Sequence, residues 1–272
     1  MDRNLKIGIV GLGLIGGSIF KALSALKCDV CAVSRSNPTI LKAKEYSQNV
    51  SKSLLHLKNC DVIFVCTPMN KTLEVLDKLD EILPPTAIVA DACSLKTFLC
   101  QKKRPYKFIP THPMAGTEFS GFDNSFEALF QGAKWVLTPF EDTDAADIKK
   151  VTEIIEVLGS KPIFSTPEEH DEAVALISHM PMLVAQALFK TAKHNSLALK
   201  LASSGFRDST RLALSNEEMA KDMISLNSDN IQNSILKLYS SIGELLNGDY
   251  PSQIREIKIE RSNMYVNGKN IL

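Results

Sequence analysis

The sequence has no surplus of charge. Lysines and arginines number 31, aspartates and glutamates 31, and the net charge is zero. Nucleic acids and anionic lipid surfaces are held by an excess of cationic groups, so neither is expected as a partner. No apolar run reads as long enough to span a bilayer. Internal repeats and low-complexity tracts are absent. Cysteine is scarce, with six residues at 28, 31, 60, 66, 93 and 100. Cys28 and Cys31 form the one CxxC, and no second pair completes a metal site. Three apart on a strand, those two side chains leave opposite faces. We expect no metal, and reduced, mostly buried thiols, as in a cytoplasmic protein. Arg3 and Lys6 ahead of residues 7–20 superficially resemble a secretory leader. Glycines 8, 11, 13, 16 and 17 suit a helical leader poorly, so the expected chain starts at Met1 and stays in the cytoplasm.

What is present is organised around residues 6–18, KIGIVGLGLIGGS. A short apolar run enters Gly11-x-Gly13-x-x-Gly16, and an apolar-periodic segment follows. The first glycine permits a tight strand-to-helix turn, the second lets backbone approach a pyrophosphate, and the third lets helix pack on strand. The opening helix, from Leu14 and Ile15, points its free N–H groups and positive dipole end at the phosphates. Dinucleotide binding is the expectation.

Strand-like runs at 30–33, 61–66, 87–91, 107–110, 135–138 and 161–164 alternate with helical patterns at 16–26, 41–46, 71–82 and 145–158. That alternation implies a doubly wound, mostly parallel sheet. Beyond Glu168 no convincing strand appears. A long helical pattern over 168–193, bent near Pro181, precedes helical patterns at 197–203, 216–226, 228–246 and 251–265. We expect two domains, 1–166 binding the nucleotide and 167–272 all helical. Helices of this kind often find their core in a second subunit, so a homodimer is expected.

An acidic residue ending the second strand would hold the ribose 2′-OH of NAD. Here Ser34, Arg35 and Ser36 stand instead. A guanidinium and two hydroxyls suit a 2′-phosphate, which favours NADP over NAD.

In a doubly wound sheet the carboxyl ends of the strands line the cleft. Thr67 and Pro68 follow one strand, 91–96 (DACSLK) another, and 111–118 (THPMAGTE) a third. His112 is the best acid/base candidate, since its ordinary pKa lies near neutrality. Ser94 is placed either to bond a substrate hydroxyl or the nicotinamide, or to cap a helix. Arg207 and Arg211 lie four apart in a break between helices. They either clamp a dicarboxylate or, with Asp208, form a surface ion pair. His170 and His179 lie nine apart on the long helical pattern, the first readable as a cap and the second as a packed polar residue.

Those residues bring out a family likeness. The chain resembles the prephenate and arogenate dehydrogenases of tyrosine biosynthesis in GLGLIGGS at 11–18, DACSLK at 91–96, HPMAGTEFSG at 112–121, LFQGAKWVLTP at 129–139, HDEAVALISHMP at 170–181 and SSGFRDSTRLALS at 203–215. The resemblance implies a Rossmann domain followed by a helical dimerisation domain. It implies oxidative decarboxylation, with hydride passing from the ring carbon that bears the 4-hydroxyl to NAD(P)+ and carbon dioxide leaving. By that resemblance His112 deprotonates the 4-hydroxyl and Ser94 assists there. Arg211 binds a substrate carboxylate, Arg207 and His179 line the substrate pocket, and Glu118 shapes and gates it. The family often has Trp about where Ala220 stands, which bears on pocket shape. Neither a chorismate mutase region nor a regulatory ACT domain is expected. A β-hydroxyacid dehydrogenase, with Lys190 or Lys193 near Asn195, is the nearest alternative, and it leaves HPMAGTE unexplained. A non-catalytic nucleotide sensor leaves His112, Ser94 and Arg211 unexplained.

Overall fold

A computed structural model describes residues 5–117, 119–266 and 269–270. Strand β1 (Lys6–Val10) leads through the glycine loop into helix α1 (Leu14–Ala25). Then come β2 (Asp29–Val33), α2 (Asn37–Ala43), β3 (Val50–Ser51), β4 (Val62–Val65), α3 (Met69–Asp80), β5 (Ile88–Asp91) and β6 (Lys107–Ile109). The six strands form one parallel sheet in the order β3-β2-β1-β4-β5-β6. The chain winds outward from β1 to β3, then crosses back over β1 to β4. The resulting crevice lies between the ends of β1 and β4, where this fold receives a nucleotide.

The strands read as near-continuous apolar runs because helices cover both faces. In β4, Val62 and Phe64 join the core that holds Phe20, Leu23 and Trp135. Ile63 and Val65 join the opposite core with Leu76 and Leu79 of α3. That is the two-residue alternation of a strand buried on both sides.

The sheet does not continue as expected. Pro110 follows β6 and has no N–H for a ladder. Past it the chain enters a separate three-stranded sheet made of β7 (Thr111–Pro113), β8 (Lys134–Leu137) and β9 (Lys161–Phe164). There β7 pairs antiparallel with β8, and His112 lies opposite Val136. Helix α4 (Ala145–Val157) connects β8 to β9, which run parallel.

Helix α2 begins four residues before the expected 41–46, because Ser36 caps it by accepting from the Thr39 N–H at 3.3 Å. The long helical pattern becomes α5 (Pro167–Val174), a π-helical turn (Ala175–His179) and α6 (Met180–Ala192). A proline ring clashes with the carbonyl four residues earlier. For Pro181 that carbonyl belongs to Ile177, inside the wider π-turn, where local underwinding accommodates the ring. Residues 204–209, expected as a break, form α8 (Ser204–Ser209) after α7 (Ser196–Leu201). Helices α9 (Glu217–Leu226), α10 (Ser228–Asn247) and α11 (Tyr250–Met264) follow. A two-residue hairpin, β10 (Tyr265–Val266) with β11 (Lys269–Asn270), corrects the expectation that no strand follows Glu168.

By length and composition the run Pro167–Ala192 is apolar enough to cross a bilayer, which corrects the reading that no such run exists. Two of its polar groups bond inward. Asp171 accepts from the backbone of Lys96 and Thr97, and His179 bonds Asn227. Val174, Ala175, Met182 and Ala185 are buried in the protein. The apolar window of this run is 28% buried, and Ile177, Leu188 and Phe189 are exposed.

Candidate active site

The cofactor end is built by glycines. Gly11 sits at φ 90°, and a Cβ there would lie 2.7 Å from the Cys66 carbonyl oxygen. A Cβ on Gly16 would lie 2.0 Å from the Gly11 oxygen and 2.9 Å from Cys66 Cβ. The turn and the helix–strand contact therefore both require glycine. Gly13, the N-cap of α1, has nothing within 4 Å of the place a Cβ would take. The first turn of α1 carries no acid, and an acid-free helix N-terminus beside a glycine turn suits a pyrophosphate. Leu14 and Ile15 open the helix half-buried. Thr67, after β4, bonds Thr72 at 2.9 Å, and Pro68 stands at the N-cap of α3. Beyond β2, Ser34 is buried and Arg35 and Ser36 are exposed. The Ser36 hydroxyl is engaged as the α2 cap, and the Ser34 hydroxyl accepts from the Ser36 N–H at 3.3 Å.

The chemical end is a cavity of about 190 Å³. Ser94, His112, Gly116, Ser178, His179 and Met223 are among the residues lining it. These come from the turn after β5, the start of the three-stranded sheet, the π-turn and α9. A buried ion pair fixes two of these pieces. Asp91 closes β5, and its carboxylate accepts from the Lys96 ammonium, from the Thr111 N–H at 3.0 Å and from the Cys93 N–H at 2.7 Å. The Lys96 ammonium also donates to the Thr111 carbonyl. Ser94 lies inside the Asp91–Lys96 turn and His112 directly follows Thr111, so one ion pair holds both.

His112 is half-buried, and its Nδ1 lies 2.9 Å from His170 Nε2. The other ring nitrogen of His170 lies 2.8 Å from Asp171 Oδ1. His170 is no helix cap, because it is buried at 3% exposure and faces β7. Burial, with His170, Lys96 and His179 nearby, pushes the His112 pKa well below its ordinary value. Its ring is therefore neutral at pH 7, as a proton acceptor must be. Burial pushes the Asp171 carboxyl up, but bonds from His170, Thr97 and Lys96 outweigh it and hold the group below the usual carboxylate range.

His179 is 1% exposed yet lines the cavity. The Asn227 amide donates to the Asp171 carbonyl at 2.8 Å, and the same nitrogen lies 3.1 Å from His179 Nδ1. Nδ1 is thus the acceptor, and the ring proton sits on Nε2. Burial pushes the His179 pKa down to about 4, so His179 is a neutral hydrogen-bond donor.

Arg207 and Arg211 are exposed and do not line this cavity. Arg207 pairs with Asp208 at 3.0 Å, the surface ion pair weighed above. Glu118 lies outside the described residues. Sequence reasoning missed the partnership of His170 and Asp171 with His112, the Asp91–Lys96 pair, and Asn227.

A family model described as "Prephenate dehydrogenase, nucleotide-binding domain" matches residues 24–164, and one described as "Prephenate dehydrogenase, dimerization domain" matches 166–247. The chain belongs to the prephenate dehydrogenase family. It is 29% identical to a prephenate dehydrogenase of Bacillus subtilis over 82% of its own length and 64% of the relative's. It therefore spans slightly less than two thirds of that relative. Among solved structures, it is similar to Synechocystis arogenate dehydrogenase, with a TM-score of 0.82, 36% identity and coverage of 95% and 98% of the two chains. It is also similar to Aquifex aeolicus prephenate dehydrogenase in complex with hydroxyphenyl propionate and NAD+. There the TM-score is 0.86, with 30% identity and coverage of 96% and 98%.

Proposed function

We propose that this chain catalyses the NAD(P)+-dependent oxidative decarboxylation of prephenate to 4-hydroxyphenylpyruvate. The observation that carries the reading is that Ser94, His112 and His179 share one cavity in a member of this family. Bound nicotinamide supplies the hydride acceptor. His112, neutral and half-buried, takes the proton of the substrate's 4-hydroxyl as the neighbouring C–H pair leaves as hydride. The bonding pair of the departing carboxylate then flows into the ring, which becomes aromatic, and the ring oxygen takes the proton back. Ser94 bonds the same hydroxyl, and His179 donates through Nε2. Arg211 does not line the cavity of the single chain, and its assignment to a substrate carboxylate rests on the family resemblance; Arg211→Ala should raise the substrate KM far more than it lowers kcat.

Purified protein with NAD+ or NADP+ and either prephenate or arogenate, followed at the reduced-nicotinamide absorbance band, tests the reading. Turnover of prephenate supports it, and absence of turnover with every combination rejects it. Arogenate is the second substrate reading, favoured by the 36% identity to the Synechocystis enzyme.

We further propose NADP over NAD, supported by Ser34, Arg35 and Ser36 in the place of an acid after β2. A guanidinium–phosphate contact of roughly 1.5–3 kcal/mol corresponds to about 10- to 100-fold. Arg35→Ala should raise the NADP+ KM by that factor and leave the NAD+ KM nearly unchanged. An equal effect on both cofactors would remove the assignment. Homodimer formation through 167–272 is supported by the dimerization-domain match and by exposed Leu197, Leu201, Leu236, Tyr239 and Leu246. Sedimentation at assay concentration reads it. Among the described residues no cysteine is in a disulfide, which suits a cytoplasmic setting.

A further inference from the structure

The bonds behind His112 assign its protons. The Asp171 carboxylate accepts from two backbone N–H groups, at 2.8 Å from Lys96 and 2.9 Å from Thr97. Ionised, it has no proton to give, so the 2.8 Å contact to His170 Nδ1 carries the histidine's proton. An imidazole that carries its single N–H at Nδ1 presents Nε2 as a bare acceptor. The 2.9 Å contact to His112 Nδ1 is then a donation from His112, which leaves His112 Nε2 with its lone pair.

We propose that His170 and Asp171 are positioning residues that hold His112 in the tautomer whose Nε2 accepts the proton of the substrate hydroxyl. This rests on the substrate reading above only for the identity of that hydroxyl. The proton moves from the hydroxyl oxygen to Nε2 and returns to the ring oxygen after decarboxylation. The His112 Nδ1–H and the His170 Nδ1–H stay where they are throughout. The charge that His112 gains faces a chain ending in a carboxylate, which stabilises it as an aspartate stabilises the histidine of a hydrolase triad. The other titratable groups around His112 are Lys96 from the turn after β5 and His179 from the π-turn. Both disfavour an extra proton there, so the carboxylate of Asp171 is the group that opposes them.

Asp171→Asn tests the chain. Its amide can keep one backbone bond while its NH₂ faces His170 Nδ1. Each tautomer then reverses, and His112 Nε2 carries a hydrogen it cannot exchange for the substrate's. kcat should fall about 10³- to 10⁴-fold, with KM within about threefold and the acidic limb of the kcat profile displaced. His170→Leu should fall comparably. His170→Gln, which keeps an acceptor for the His112 Nδ1–H, should retain at least about tenfold more kcat than His170→Leu. Histidine ¹H–¹⁵N spectra of the unliganded protein need no substrate. They should show His112 protonated at Nδ1 in the wild type and at Nε2 in Asp171→Asn. Wild-type His112 protonated at Nε2, or Asp171→Asn within threefold of wild-type kcat, overturns the proposal. If Asp171→Asn does not fold, the ratio of His170→Gln to His170→Leu decides, and a ratio near one overturns it. Wild-type protein that turns over neither substrate but shows the Nδ1–H signal removes the substrate reading and leaves the tautomer assignment standing.

Discussion

His112→Asn should lower kcat about 10²- to 10⁴-fold, the range of a positioned acid/base group, while substrate KM changes by less than about threefold. Asparagine keeps the ring's approximate volume and one hydrogen-bonding atom toward His170, so the cavity should keep its shape and still bind substrate. What goes is a group that holds a proton at neutral pH. The wild-type pH dependence gives a second readout. The His112 pKa is pushed below its ordinary value by burial, His170, Lys96 and His179. A base that must be neutral works above its pKa, so wild-type kcat should stay level as pH falls toward 6.5 and drop only below it. In His112→Asn that acidic drop should vanish. Near-normal kcat in the variant, or a wild-type profile that declines well above pH 6.5, would remove His112 from the role of base.

Lys96→Met should cause the largest loss of stability. The Lys96 and Asp91 side chains are both 0% exposed and meet as an ion pair. Methionine fills much of the same volume and removes the charge, leaving the Asp91 carboxylate buried with only the Thr111 and Cys93 N–H groups. Breaking one side of a buried pair costs about 3–5 kcal/mol. For a chain of this size, 1 kcal/mol moves Tm by about 2–4 °C, so a fall of about 6–20 °C is expected. Changing Asp91 to Asn in the same protein removes the stranded charge and should recover a substantial part of the loss. kcat should fall as well, because the pair holds the Ser94 turn against the strand bearing His112. A Tm within about 2 °C of wild type, or a double variant no better than the single one, would show that the pair does not carry this load.

The glycine spacing and the strand–helix alternation were readable because both are local. Gly11 and Gly16 have no room for a Cβ, and the division of residues 62–65 between two cores follows from the pleat. The branching of the sheet at Pro110 was not read, although the residue that causes it was in view. A proline can end a strand or merely edge it, and only pairing partners decide. Ser94, His112 and His179 line one cavity. Their convergence is a tertiary fact that spacing does not contain. His170 is readable from the sequence as a cap, because nothing local names its partner. Its partner is 58 residues away. Asn227 gave no signal at all, since a lone asparagine between helices is ordinarily a terminus residue, and its bond to His179 spans 48 positions.

The π-turn over Ala175–His179 makes chain length itself part of the site. At about 100° per residue, a regular helix sets positions nine apart on opposite sides, and His170 and His179 would face away from each other. The underwound stretch swings His179 back toward the side where His170 meets His112. Removing one residue there would restore a regular helix and rotate α6, with everything it carries, by about a quarter of a turn or more. Substitutions in this stretch alter one side chain, whereas an insertion or deletion alters the phase of the whole helical half against the histidines. The segment is therefore expected to vary among working relatives in residue type far more readily than in residue number.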